Sequence, residues 1–150
     1  MKKKLNCVLL VDDNDSDNFL HRRVLEKAGI TERIEIVENG QEAINFLASL
    51  VKPGVAENPA PLPDIIFLDI NMPVMDGWEF LDEYEKLETG DKSGVVIIIL
   101  TTSSNPADKA KAHSKLGVDR FRFKPLTPAM LEEVLEKHFP QGYSNSNCSR

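Results

Sequence analysis

Short apolar runs alternate along this chain with stretches whose apolar residues recur every three or four positions, and that alternation predicts five strands and five helices. Residues 7–11 are apolar without interruption, the pattern of a strand buried on both faces. Polar residues around Asn14–Ser16 then offer several caps for a helix. That helix carries Leu20, Val24 and Ala28 at i, i+4 and i+8 with Leu25 alongside, and Gly29 is placed to end it. Residues 33–37 read as a shorter strand with Ile34 and Ile36 on one face. Asn39-Gly40 reads as a turn, and 41–50 as a helix with Ala43, Ile44, Leu47 and Ala48 on one stripe.

Residues 52–63 are polar and broken by Pro and Gly, which predicts a longish surface loop. A third strand follows at 65–68, then a helix at 77–87 with Phe80, Leu81, Tyr84 and Leu87 as its apolar side. After the turn-rich 88–94 comes the most apolar strand, 95–100. Asn105-Pro106 supplies an N-cap followed by Pro at N1, with Asp108 in the first turn and Gly117 at the end. A fifth strand at 120–123 leads to Thr127-Pro128, which repeats that device. Met130, Leu131, Val134, Leu135 and His138 follow at helical spacing, and Pro140 stops the helix. The reading is one domain over 1–139 and a disordered tail over 140–150. Strands alternating with helices in this way specify an α/β, doubly wound (βα)5 fold. Its five-stranded parallel sheet has right-handed crossovers and helices on both faces.

A chain of 150 residues is long enough for one full core. Its net charge of −6 argues against binding nucleic acid through a broad basic surface. Lys2-Lys3-Lys4 is a short terminal cluster that reads as solvated. No apolar run is long enough to span a membrane, and the four-residue run 8–11, closed by acids, is too short for a signal peptide. The expectation is a cytoplasmic protein. Cys7 opens a strand and Cys148 lies in the polar tail, a poor structural disulfide pair. His21, His113 and His138 lack metal-ligand spacing and read as surface or boundary histidines.

Charge changes the picture at the strand ends. The first strand runs into Asp12-Asp13 and the third into Asp69. In a doubly wound sheet, ligands bind outside the carboxyl ends of the strands near a topological switch point. Three carboxylates meeting there repel one another unless a cation or protons neutralise them. A Mg²⁺ ion, which takes carboxylates, phosphate oxygens and water, suits Asp12, Asp13 and Asp69. Asp69 can also attack a phosphoryl group as an acyl-phosphate-forming nucleophile. Thr101 and Thr102 place a hydroxyl at the end of the fourth strand, and Lys124 places an ammonium at the end of the fifth. Each has a bland reading, as a cap, a strand residue or a solvated lysine. Coincidence at four strand ends is harder to sustain.

The segments Leu10-Val11-Asp12-Asp13-Asn14, Leu68-Asp69-Ile70-Asn71-Met72-Pro73-Val74-Met75-Asp76-Gly77, Leu100-Thr101-Thr102-Ser103 and Phe123-Lys124-Pro125-Leu126 resemble those of the response-regulator receiver domain. The resemblance covers roughly 5–139. It is strongest to stand-alone receivers related to cyanobacterial phytochrome response regulators, which share the long loop before the third strand and the Asn-Met-Pro-x-Met-Asp-Gly run. It implies a flavodoxin-like receiver fold and a single-domain response regulator of a two-component phosphorelay, with no enzymatic activity beyond its own phosphorylation and dephosphorylation. Asp69 would accept a phosphoryl group from a histidine kinase or histidine phosphotransfer protein. Asp12, Asp13, Asp69 and the backbone carbonyl of Asn71 would hold Mg²⁺. Lys124 would pair with the phosphoryl group, Lys124-Pro125 would be cis, and Pro73 and Gly77 would shape the loop after Asp69.

The resemblance favours Thr102 over Thr101 as the switch hydroxyl, because 124 − 102 = 22 is the family's interval before the lysine and Ser103 is small. It makes Phe121 the switch aromatic, often Tyr in the family. Phosphate on Asp69 would draw Thr102 inward, let Phe121 bury itself, and reshape the face of the fourth helix, fifth strand and fifth helix. Asn71 and Ser104 occupy the positions that tune water attack, and imply self-dephosphorylation that is not exceptionally slow. The output would be contact with a downstream protein, a relay or a phosphate sink, since 140–150 leaves no room for a DNA-binding domain. A homodimer is a further partner the reading leaves open.

Three rivals are weaker. A haloacid-dehalogenase-type phosphohydrolase needs an acid two residues after the nucleophile, where this chain has Asn71. An interaction module without phosphate chemistry would not need the intact acidic pair, acceptor, hydroxyl and lysine. A flavin-binding protein would meet an acidic loop at 14–18, unsuited to a cofactor phosphate.

Overall fold

The computed structural model describes residues 4–50, 62–87, 92 and 94–140. Its elements are β1 (Leu5–Val11), α1 (Asp15–Ala28), β2 (Thr31–Val37), α2 (Gly40–Ser49), β3 (Ile65–Leu68), α3 (Gly77–Lys86), β4 (Val96–Thr101), α4 (Pro106–Leu116), β5 (Phe121–Phe123) and α5 (Pro128–His138). The expected (βα)5 order is present. Most of the 52–63 loop and of 88–94, the Lys2-Lys3-Lys4 cluster except Lys4, and the tail with Cys148 lie outside the described residues.

The strands form one sheet in the order β2-β1-β3-β4-β5, every neighbouring pair parallel. Alternating side chains divide the core between its faces. Val8, Leu10, Phe67, Ile98 and Leu100 meet Leu25 of α1 and Leu131, Val134 and Leu135 of α5. Leu9, Val11, Ile66, Leu68, Ile97 and Ile99 meet Ala43 and Leu47 of α2, Phe80 and Leu81 of α3 and Ala112 of α4. Both faces are covered, which is why the central strands read as apolar without alternation. The chain leaves β1 for β2 on one side and reaches β3 on the other, so the switch point lies between the carboxyl ends of β1 and β3.

Helix ends follow side-chain chemistry. Asn14, Asn39, Asp76, Asn105 and Thr127 each accept a backbone N–H of the first turn, and Asp76 forms a reciprocal capping box with Glu79. Asn39-Gly40 is therefore a helix start rather than a free turn. Gly40 donates to the Met75 carbonyl at 2.9 Å, and a Cβ there would lie 2.8 Å from Met75 Cγ. Gly29 closes α1 in the left-handed region at φ 63°. Lys92 caps α3 from beyond its end, its ammonium donating to the carbonyls of Tyr84, Glu85 and Leu87. Cys7 is a buried free thiol, pushed up to about 11 chiefly by burial.

The expected apolar stripe of α1 needs correction. Leu20 is 53% exposed and Ala28 is exposed, whereas the buried positions are Asn18, His21 and Leu25. His21, expected at a surface or boundary, is 2% exposed. The first turns of α1 abut the polar carboxyl edge of the sheet, where burying an amide or an imidazole costs less than burying it in hydrocarbon.

Candidate functional site

Asp12 follows β1 and Asp69 follows β3. The sheet ladder continues through both, with Asp12 N–H donating to Val37 and Asp69 N–H to Val11. Both side chains are buried there, and Asp13 beside them is exposed. One carboxylate oxygen from each of Asp12, Asp13 and Asp69 lies within 4.8 Å of the other two, as their places at two adjacent strand ends predict. Each buried carboxylate is oriented by backbone: Asp12 Oδ1 accepts from Asn14 N–H at 3.0 Å, and Asp69 Oδ1 from Ile70 N–H at 2.8 Å. The Asn18 amide donates to the Asp12 carbonyl at 2.9 Å.

Lys124 reaches in from the end of β5, its backbone pinned to the Thr101 carbonyl. Its Nζ lies 2.7 Å from Asp12 Oδ2, 2.7 Å from Asp17 Oδ2 and 3.2 Å from Asp69 Oδ2. Burial alone would lower its pKa. Hydrogen bonds to Asp12 and Asp17 and the charges of Asp69 and Asp12 outweigh burial and hold it above the usual lysine range. The Asp12 carboxyl is shifted upward, because burial and the Asp69 charge exceed the help it receives from Lys124 and the Asn14 N–H. One ammonium faces more negative charge than it can neutralise. An open-sided cluster of hard oxygen donors with surplus negative charge fits a divalent cation such as Mg²⁺.

The loop after Asp69 is shaped by close backbone contact. Gly77 N–H donates to the Ile70 carbonyl at 2.8 Å, and a Cβ on Gly77 would stand 2.6 Å from the Asp69 carbonyl oxygen. Asn71 and Pro73 are exposed in that loop. Val74 holds φ 68° while 79% exposed, a left-handed conformation that a β-branched residue adopts only at a cost of about 1–3 kcal/mol.

The two threonines part at the end of β4. Thr101 is buried, and its Oγ1 accepts from Ser103 N–H at 3.2 Å. Thr102 is exposed, and Ser103 Oγ donates to Asp108 in the first turn of α4 at 2.5 Å. The Lys124-Pro125 bond is cis. Phe121 is already buried, at 8% exposure, with its ring edge-on to Phe123 at 5.5 Å. A phenyl ring has no hydroxyl to keep in water and packs inside without loss of a hydrogen bond.

Sequence reasoning missed Asp17, His21 and Asn18 as neighbours of the site. Asp17 was the findable one: helical side chains lean toward the N-terminus, so an acid in the first turn after Asp12-Asp13 leans back over them. His21 is held below its ordinary pKa first by burial, with Asp17, Lys124 and Asp69 acting on it from across the site.

A family model described as the response regulator receiver domain matches residues 8–136. The chain belongs to the response-regulator receiver family. Among solved structures, this receiver is similar to a two-component response regulator from Cytophaga hutchinsonii, with 35% identity, TM-score 0.78, and 92% of this chain and 99% of that one covered. It is also similar to the phosphorylated cyanobacterial phytochrome response regulator RcpA, with 25% identity, TM-score 0.67, and 95% and 99% covered. It is 30% identical over 146 residues to hybrid signal transduction histidine kinase I of Dictyostelium discoideum. That match takes in 95% of this chain but spans only 8% of the kinase. The expected family, the likeness to cyanobacterial phytochrome response regulators and the flavodoxin-like receiver fold are thereby shown. Receivers act in two-component signalling, bind Mg²⁺ at an acidic pocket and are phosphorylated by histidine kinases or phosphotransfer proteins. The cluster at Asp12, Asp13 and Asp69 is a metal-capable group of that kind. Among the described residues no helix is long and apolar enough to cross a membrane.

Proposed function

We propose that this receiver is a cytoplasmic response-regulator domain that takes a phosphoryl group on Asp69 from a phosphohistidine of a kinase or phosphotransfer protein. The observation that carries this reading is the Lys124 ammonium set between Asp69 and Asp12, with Asp13 completing a three-carboxylate group. An Asp69 oxygen forms the new P–O bond as the P–N bond of phosphohistidine breaks, and the imidazole nitrogen keeps the electron pair. Asp12, Asp13, Asp69 and the Asn71 carbonyl would hold Mg²⁺, which neutralises charge on the phosphoryl oxygens when bound. Lys124 donates to one of those oxygens.

Thr102, exposed beside the site, turns inward to a phosphoryl oxygen. Its neighbour Ser103 is tied to Asp108, so that turn pulls on the start of α4. The face of α4, β5 and α5 changes with it and is read by a downstream protein, while Phe121 serves as a packed wall rather than a moving part. The likeness to RcpA, whose structure is that of the phosphorylated protein, supports the same chemistry here. The test is labelling with acetyl phosphate and Mg²⁺, read by intact mass. One phosphate per chain is expected on the wild type and none on Asp69→Asn. An equally labelled Asp69→Asn refutes the assignment.

A further inference from the structure

Lys124 has three N–H donors and three carboxylate neighbours. The ammonium lies as close to Asp17 as to Asp12, 2.7 Å each, and farther from Asp69, at 3.2 Å. Asp17 falls outside the group of carboxylates that can hold the metal. An acid in the first turn of α1 is accounted for by the helix dipole, but that role asks nothing of Lys124. Asp15 supplies the same first-turn charge and is fully available to solvent-side interactions, being exposed. Asp17 instead spans 107 positions of sequence to a lysine whose side chain is 8% exposed. Its own backbone N–H is fixed by the Asn14 cap at 2.9 Å, so the reach is set by the start of the helix.

The geometry points to Asp17 as a positioning residue that competes with the phosphoryl group for Lys124 and so limits how tightly the site holds a phosphoryl group. The inference rests on the phosphoacceptor reading of Asp69. Lys124 is the one side-chain cation at this cluster among the described residues. A phosphoryl oxygen must share that cation with Asp17, and it gains a like charge nearby. Asp17→Asn keeps an oxygen that accepts from Lys124 and removes only the charge; Asp17→Ala removes both.

The experiment measures beryllofluoride affinity in the presence of Mg²⁺ on the full chain, read from the fluorescence of Trp78, the single tryptophan, and by calorimetry. Acetyl phosphate labelling of the same samples runs alongside. Asp17→Asn and Asp17→Ala are each expected to bind beryllofluoride about tenfold more tightly, the factor for one charge removed from a partly screened site. Asp17→Glu is expected to return toward wild type, and Asp15→Asn, which removes an equal charge from the same turn, to leave affinity unchanged. In a Lys124→Met background the Asp17→Asn gain should shrink to what relief of like-charge repulsion alone supplies, and a gain as large as in wild type overturns the competition for Lys124. A helix-dipole role alone would move Asp15→Asn and Asp17→Asn equally, and that result overturns the proposal. So does unchanged or weaker binding by Asp17→Asn while wild type binds and is labelled. A wild type that neither binds beryllofluoride nor takes label overturns the phosphoacceptor reading itself, and this inference with it.

Discussion

Asp12→Asn should stabilise the fold when no metal is present and remove most of the stabilisation that Mg²⁺ supplies. Asp12 is 5% exposed. Its attraction to Lys124 over 2.7 Å is about 6 kcal/mol at an effective dielectric of ~20. Repulsion from Asp69 within 4.8 Å returns at least about 3.5 kcal/mol on the same scale. The desolvation penalty of a buried ion, several kcal/mol, exceeds the remainder. The carboxyl is accordingly shifted upward by burial. Folding disfavours its anion, so this group favours the fold below the unfolded Asp value of about 3.9 and withdraws that contribution as pH rises through its raised folded value. Asparagine keeps the oxygen that accepts from Asn14 N–H, and Lys124 keeps Asp17 and Asp69. A net gain of about 1 kcal/mol is expected, within the range for single substitutions. Urea unfolding in EDTA at pH 7 measures it. Mg²⁺ at a hundredfold excess over Kd should add about 2.7 kcal/mol to wild type and a small fraction of that to the variant. A variant destabilised by 1 kcal/mol or more in EDTA, on the order of an ordinary lost contact, would refute the view that this carboxylate is held at the fold's expense.

Gly77→Ala should cost about 1–3 kcal/mol, since the new Cβ meets the Asp69 carbonyl oxygen at 2.6 Å. It should also weaken Mg²⁺ binding by displacing Asp69; an unchanged urea midpoint and metal titration would show that the loop yields freely. His21 titrates below its ordinary value because it is buried. Its contribution to stability is whole above the unfolded histidine value of about 6.5 and is lost as pH falls from there through the folded value. His21→Gln should therefore lose less stability than wild type between pH 7.5 and 5.5, and parallel losses would count against it.

What the chain disclosed in advance follows a physical line. Residues 65–68 were legible to the residue because a strand covered on both faces is apolar throughout and stops on a carboxylate. Asp12, Asp13, Asp69 and Lys124 were legible as neighbours because strand ends in one parallel sheet share an edge. The face of α1 was not legible. Periodicity counts Leu20 and Ala28 as core and passes over Asn18 and His21, yet that helix starts against a polar edge. Nor did apolar pattern indicate that Phe121 packs inside at rest. The lean of a first-turn side chain could have placed Asp17 over Asp12-Asp13, but its contact with Lys124 was not legible, because no local pattern records a pairing over 107 positions.

That separation has a consequence for the newly made chain. The acidic cluster is complete once β1 and β3 are paired, but its ammonium arrives with β5, the last strand to leave the ribosome and an edge of the sheet. Until then the carboxylates lack their lysine. On the phosphoacceptor reading, the ammonium at Asp69 is therefore a mark of a closed sheet: it stands beside that carboxylate only when the edge strand β5 is in place.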